Sequence, residues 1–121
     1  MGKYVRWIEY RGQKILYIEY SGLQGADFEA AVDETMEELL KLPDGVTAPS
    51  ITNFKGNRMS SVTAAKGREV AALVKKKKLK GPTVIVGISG LAASVVGLLK
   101  PDVHMAKTIE EAKEWIVSHP E

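Results

Sequence analysis

Two adjacent serines, Ser60 and Ser61, lie between a polar loop and a basic helical stretch. Of the side chains in this sequence they are the best placed for modification chemistry. A phosphate on either would sit at a helix N-terminus, where free N–H groups and the helix dipole favour an anion. Lys55, Asn57 and Arg58 precede the pair and form a candidate loop for binding an anion or a partner. The two cations there could add charge-assisted hydrogen bonds to a phosphate. The same serines also answer a plainer need, because a serine at this position is what a helix N-cap requires. Both readings remain open on the sequence.

Little else in the chain is suited to chemistry. There is no cysteine, so no disulfide, thiol nucleophile or thiolate metal site is available. His104 and His119 stand alone, without the spacing of a metal motif, so neither a metal nor a cofactor is expected. No serine can be paired with a base from the sequence, no catalytic residue is assigned, and an enzyme is the least expected class. The turn Val86-Gly87-Ile88-Ser89-Gly90 joins a strand to a helix, a place where anions can bind. It lacks both the dinucleotide fingerprint and the P-loop lysine pattern.

A third candidate is apolar. The stretch LAASVVGLLK (residues 91–100) reads as a helix hydrophobic on most faces. Leu91, Val95, Leu98 and Leu99 fall on one side, and Gly90, Ser94 and Gly97 form a strip of small residues. Such a helix is deeply buried or lies in an interface. In a chain of 121 residues there is little room to bury it fully. These four residues are therefore candidates for a contact with a second copy or with an apolar ligand held between this helix and the sheet.

The elements that would position these sites follow from periodicity. Residues 7–10 and 14–20 read as two strands rich in β-branched and aromatic residues, joined by the turn Arg11-Gly12. Asp27 is expected to cap a helix with Phe28, Val32, Met36, Leu39 and Leu40 on its buried face. Pro49 to Phe54 is a short strand. The helix after the serine pair should bury Val62, Ala65, Val70, Leu73 and Val74, and the run Lys75–Lys78 closes it, where cations favour the dipole. Thr83 to Ile88 is a continuous apolar run, which predicts a central strand covered on both faces. Val103 to Ala106 is a last strand. Thr108-Ile109-Glu110-Glu111 is a capping box opening a helix that buries Ile109, Ala112, Trp115 and Ile116.

The order ββαβαβαβα predicts an α/β fold of one domain, residues 1–121. Its sheet should be mixed and mostly parallel, with an N-terminal antiparallel hairpin and four helices. Apolar content of 45% and charged content of 26% suit an ordinary globular chain. No apolar run reaches the ~18 residues of a membrane span, and no signal-peptide pattern opens the chain, so a cytoplasmic protein is expected. The charge is unevenly placed. Residues 55–100 carry 10 basic and 1 acidic side chains, while both flanking segments are net acidic. Helices of opposite charge can simply compensate one another. Phe54 is the only aromatic between Phe28 and Trp115, so a nucleic-acid partner is not expected. An anionic membrane surface or lipid is a weaker partner class, since it needs a basic helix with exposed apolar bulk.

The element order, the hairpin YRGQKILYIEYSGL, the loop NRMSSV, the strand VIVGISG and the closing helix TIEEAKEWIV together resemble a SpoIIAA-like, or STAS-type, domain. The likeness is to the small stand-alone bacterial and archaeal members, some of which are described as similar to CRAL-TRIO lipid-binding domains. In the phosphoregulated members this loop reads Asp-Ser-Ser/Thr-Gly, and a partner kinase phosphorylates the serine after the aspartate. Here the window is Met59-Ser60-Ser61-Val62, with Ser60 at the acceptor position. Met59 replaces the aspartate and Val62 the glycine. The resemblance implies a regulatory module similar to anti-anti-sigma factors. It would bind a protein partner, such as a regulatory kinase or an anti-sigma-like protein, and could form a homodimer. The alternative reading is a small apolar-ligand or lipid-binding protein.

Overall fold

A computed structural model describes residues 3–56, 61–87 and 103–119. Strands β1 (Val5–Tyr10) and β2 (Gln13–Glu19) form the expected antiparallel hairpin, with Tyr10 opposite Gln13 at its tip. Arg11 and Gly12 make the turn, both at positive φ (52° and 82°). That is the signature of a type I′ turn, whose twist matches that of the flanking strands.

The remaining strands pair in parallel. β3 (Ser50–Asn53) lies beside β2, β4 (Thr83–Val86) beside β3, and β5 (His104–Ala106) beside β4. The sheet order is β1-β2-β3-β4-β5. Three helices accompany it among the described residues: α1 (Gly25–Leu40), α2 (Ser61–Lys76) and α3 (Ile109–Ser118). The expected helix over 91–100 lies outside the described residues. No described helix is long and apolar enough to cross a membrane.

Each strand presents alternate residues to opposite faces. On one face Val5, Leu16, Ile18 and Tyr20 meet Phe28, Ala31, Val32 and Leu39 of α1. On the other, Ile15, Tyr17, Ile51, Val84, Val86 and Ala106 meet Ala112 and Ile116 of α3. Burying each large aliphatic side chain contributes about 1.5–3 kcal/mol, so these two layers hold the sheet in register.

Three local expectations are corrected. Asp27 does not cap α1: the N-cap is Gln24, without a side-chain bond, and Asp27 sits inside the first turn. It still favours the dipole there. Leu40 is 60% exposed, not buried. It is the last residue of α1, with no following turn of helix to hold it inward. The strand β4 is interior but not covered equally. Val84 and Val86 are buried against α3, whereas Thr83 and Ile85 are half-buried on the other face.

The ends of the helices are explicit. Thr108 caps α3, its hydroxyl accepting from the Glu111 N–H at 3.1 Å. The α2 terminus closes as a Schellman motif. The Leu79 N–H donates to the Val74 carbonyl and the Lys78 N–H to the Lys75 carbonyl, both at 3.1 Å. Lys78 holds the left-handed position of that motif, at φ 56°, where glycine is the usual residue.

Candidate functional site

Between the sheet and the helix pair lies a cavity of about 790 Å³. Its floor is the alternate-residue set of three strands: Leu16 and Ile18 of β2, Ser50 and Thr52 of β3, and Thr83 and Ile85 of β4. Helix α1 contributes Phe28, Val32 and Leu39 to one wall. Helix α2 packs along α1 and contributes Gly67, Val70, Ala71 and Val74. The small residues on α2 leave the space open. A methyl group placed on Gly67 would have no heavy atom within 4 Å.

The cavity is polarised along the strands. At their C-terminal end Tyr20, Phe28 and Phe54 form an aromatic trio. Tyr20 meets both phenylalanines edge-on, at centroid distances of 5.3 and 5.5 Å. At the N-terminal end the hydroxyls of Ser50 and Thr83 lie 3.5 Å apart on the floor. There the chain leaving α2 turns back beside residues 45–48, with the Ala48 N–H donating to the Lys80 carbonyl at 2.7 Å. Lys75, Lys78 and Lys80 line that end and are exposed, so they stand at its rim. Lys66 and Arg68 reach the cavity farther along, and Lys66 pairs with Glu69 at 3.9 Å. No carboxylate lines the cavity among the described residues.

Tyr20 anchors the aromatic end. The single hydroxyl proton of Thr35 goes to the Ala31 carbonyl at 2.9 Å, so in its 2.7 Å contact with Thr35 the tyrosine is the donor. Burial pushes the Tyr20 phenol up to about 12.

A second polar group sits on the opposite face. Glu19 accepts from the Tyr17 hydroxyl at 2.5 Å, from Asn53 Nδ2 at 3.2 Å and from the Ser21 hydroxyl. Asn53 Nδ2 also approaches the Tyr17 hydroxyl at 3.2 Å, and the Arg6 guanidinium stacks over the Tyr17 ring at 4.6 Å. Burial, then the bond to Glu19, raises the Tyr17 pKa. The donors of this network are spent on Glu19, which suits a clamp joining β2 to β3 more than a reactive centre.

The residues singled out in the sequence are only partly placed. Ser61 is the first residue of α2 and is exposed, and Lys55 is exposed in the turn after β3. No described hydrogen bond or ion pair joins them. Ser60, Asn57, Arg58, Leu91, Val95, Leu98, Leu99 and the turn residues Ile88, Ser89 and Gly90 lie outside the described residues, as does the Val62 side chain. The rest of the predicted α2 stripe, Ala65, Val70, Leu73 and Val74, is half-buried, which is what a helix over an open cavity shows. His104 and His119 are not isolated. Both stack on Trp115, at 4.3 and 4.1 Å with interplanar angles of 11°. The i,i+4 spacing of Trp115 and His119 announces half of that stack. His104 joins only because β5 runs beneath α3. The described residues contain no group of three or more metal-ligating side chains.

A scan against protein-family models finds no match to this chain, and a search of curated proteins finds none.

Proposed function

We propose that this protein binds a small apolar ligand in the cavity between α1, α2 and the sheet. One observation carries the reading: a space of about 790 Å³, floored and walled chiefly by aliphatic and aromatic side chains, with a few hydroxyls at one end. Small-molecule sites usually have volumes of about 300–1,000 Å³ and this mixture of apolar walls and sparse polar groups. The described lining comes mainly from α1, α2 and three strands, and residues 91–100, beside which the sequence placed such a pocket, lie outside the described residues. The protein then acts as a cytoplasmic carrier or sensor, without chemistry of its own. The mixed sheet, the N-terminal hairpin and the alternation after it support a SpoIIAA-like assignment with a fourth helix over 91–100.

Native mass spectrometry of protein purified from its own cells tests the reading. A retained non-covalent small molecule, displaced by an added apolar probe such as Nile red, supports it. Protein that arrives empty and fails to bind Nile red overturns it. The substitution Ala71→Trp, which places a large ring in the cavity, should abolish probe binding while the far-ultraviolet circular dichroism stays unchanged.

A second reading, a regulatory module that binds a protein partner and is switched by a kinase, has one observation in its favour. Ser61 opens α2 with its side chain exposed, so a kinase could reach it and a phosphate there would face the helix N-terminus. The same mass spectrum distinguishes the two: a covalent phosphate mapped to Ser60 or Ser61 supports the regulator, and its absence counts against it.

A further inference from the structure

We infer that the ligand is an anionic amphiphile whose head group is held by Lys75, Lys78 and Lys80, with its tail directed toward Tyr20 and Phe54. The inference rests on the cavity reading and adds the ligand's charge and orientation.

Three independent observations converge on it. The first is the polarity of the cavity, with hydroxyls of Ser50 and Thr83 at one end and the aromatic trio at the other. The second is charge. Lys75, Lys78 and Lys80 form no ion pair among the described residues, whereas Lys77, their neighbour in sequence, is held by Asp44 at 3.2 Å. A run of lysines ending a helix is ordinarily accounted for by the dipole and by solvation. That account does not explain why three of them border an apolar space that no described carboxylate lines.

The third observation is conformational. Lys78 occupies the left-handed position of the Schellman motif. A side chain there is strained relative to glycine, which the motif normally uses. The strain has no return in the packing of α2, because Lys78 is exposed. Its return is an ammonium group on the rim beside Lys75 and Lys80. Functional sites are where such local strain is commonly retained.

Lysine ammonium groups recognise carboxylate and phosphate heads as point charges, so both are tested. The assay follows displacement of Nile red, a neutral probe, from the full chain by hexadecanoate, hexadecyl phosphate and hexadecanol. At low salt one or both anions should bind at least tenfold more tightly than the alcohol, and the gap should narrow as salt is added. The triple variant Lys75→Gln, Lys78→Gln, Lys80→Gln should lose that gap while keeping its affinity for the alcohol. The control Lys14→Gln, Lys107→Gln, away from the cavity, should keep it. The more tightly bound anion identifies the head group.

Lys78→Gly gives a readout that a purely structural lysine would not. It should raise the urea midpoint by relieving the left-handed strain, and at the same time weaken binding of the preferred anion. Equal affinity of the wild type for anions and alcohol overturns the inference and leaves the cavity reading intact. A preference that survives in the triple variant overturns the assignment to these lysines. If no chain displaces Nile red from the protein, the cavity reading falls and this inference falls with it.

Discussion

The carboxylate of Glu34, on α1, accepts the backbone N–H of Val5, the first residue of β1, at 2.6 Å. The N–H groups of Tyr4 and Lys3 bind the same carboxylate at 2.8 and 3.0 Å. One helical side chain thus collects three successive donors at the start of an edge strand. Strand ends otherwise fray, so this contact fixes where the hairpin sits against α1. Hydrogen bonds to a charged acceptor contribute about 1.5–3 kcal/mol each when buried, and less when water competes. Glu34→Ala should therefore lower stability by about 2 kcal/mol, read as a lower urea midpoint. Glu34→Gln keeps an acceptor but loses the charge and should fall between. A midpoint unchanged in both would show that the start of β1 is held by its packing alone.

Tyr20 makes stability depend on alkaline pH. Its phenol is raised by burial to about 12 in the folded chain, against 10.0 for an ordinary tyrosine. Between those values the unfolded chain has released a proton that the folded chain keeps. Stability therefore falls as pH rises from about 10 to about 12, by up to ~1.4 kcal/mol per pH unit and on the order of 2–3 kcal/mol in all. Tyr20→Phe removes this contribution and costs about 1 kcal/mol at neutral pH for the lost bond to Thr35. Its urea midpoint should decline less steeply above pH 10 than that of the wild type. A shallower slope remains, because the Tyr17 phenol is also raised, first by burial and then by Glu19. Parallel slopes in the two proteins would exclude Tyr20 as the source.

Much of the scaffold was legible because period-2 and period-3.6 patterns report which face is buried. The hairpin, with Arg11-Gly12 as its turn, and the Thr108 cap follow from short-range chemistry and are found as read. What failed is instructive. Leu40 looked like part of the α1 stripe, but the last residue of a helix has no following turn to hold it inward. Thr35 was passed over as polar, yet it is fully buried because Ala31 and Tyr20 satisfy its hydroxyl. The cavity was the least legible feature. It is a volume between elements, and its local signal is faint: Gly67 and Ala71, small residues one turn apart on α2. The strain at Lys78 left no sequence signal, since a lysine there reads as one more member of a charged run.

The α3 cap offers a cleaner test of local chemistry. The Thr108 hydroxyl accepts the Glu111 N–H, and the backbone N–H of Ala112 reaches the Thr108 carbonyl at 3.1 Å. Thr108→Ala leaves a helix N–H without this partner and should cost about 1 kcal/mol, while Thr108→Ser should cost only a few tenths. Because α3 covers Ile51 and Val84, the loss should appear in global urea unfolding and not only as fraying. If amide exchange increases in the first turn of α3 while the midpoint stays fixed, the cap is local and the packing of Ile116 carries the helix.

Two glycines should respond to alanine in opposite directions. Gly67 lies within α2, with open space where a methyl would go. Alanine is the better helix former, so Gly67→Ala should stabilise the protein by about 0.5–1 kcal/mol. The added methyl also enters the cavity, so ligand affinity should change with it. Gly87, just after β4, has φ 89°, and a Cβ there would lie 2.6 Å from the Lys55 Cα and 2.7 Å from the Lys55 nitrogen. Both atoms are backbone, so no side-chain rotation relieves the clash. The Phe54 N–H bonds the Val86 carbonyl at 2.7 Å and the Gly87 N–H reaches the Ala106 carbonyl at 3.3 Å. Backing away would therefore strain the pairing of β4 with both neighbours. Left-handed strain of about 1–2 kcal/mol adds to the overpacking cost of about 1–3 kcal/mol. Gly87→Ala should thus lower stability by about 3 kcal/mol. Midpoints that shift upward for Gly67→Ala and downward for Gly87→Ala would confirm the placement of both loops and helix. A neutral Gly87→Ala would show that the turns after β3 and β4 yield to the added methyl without loss of strand pairing.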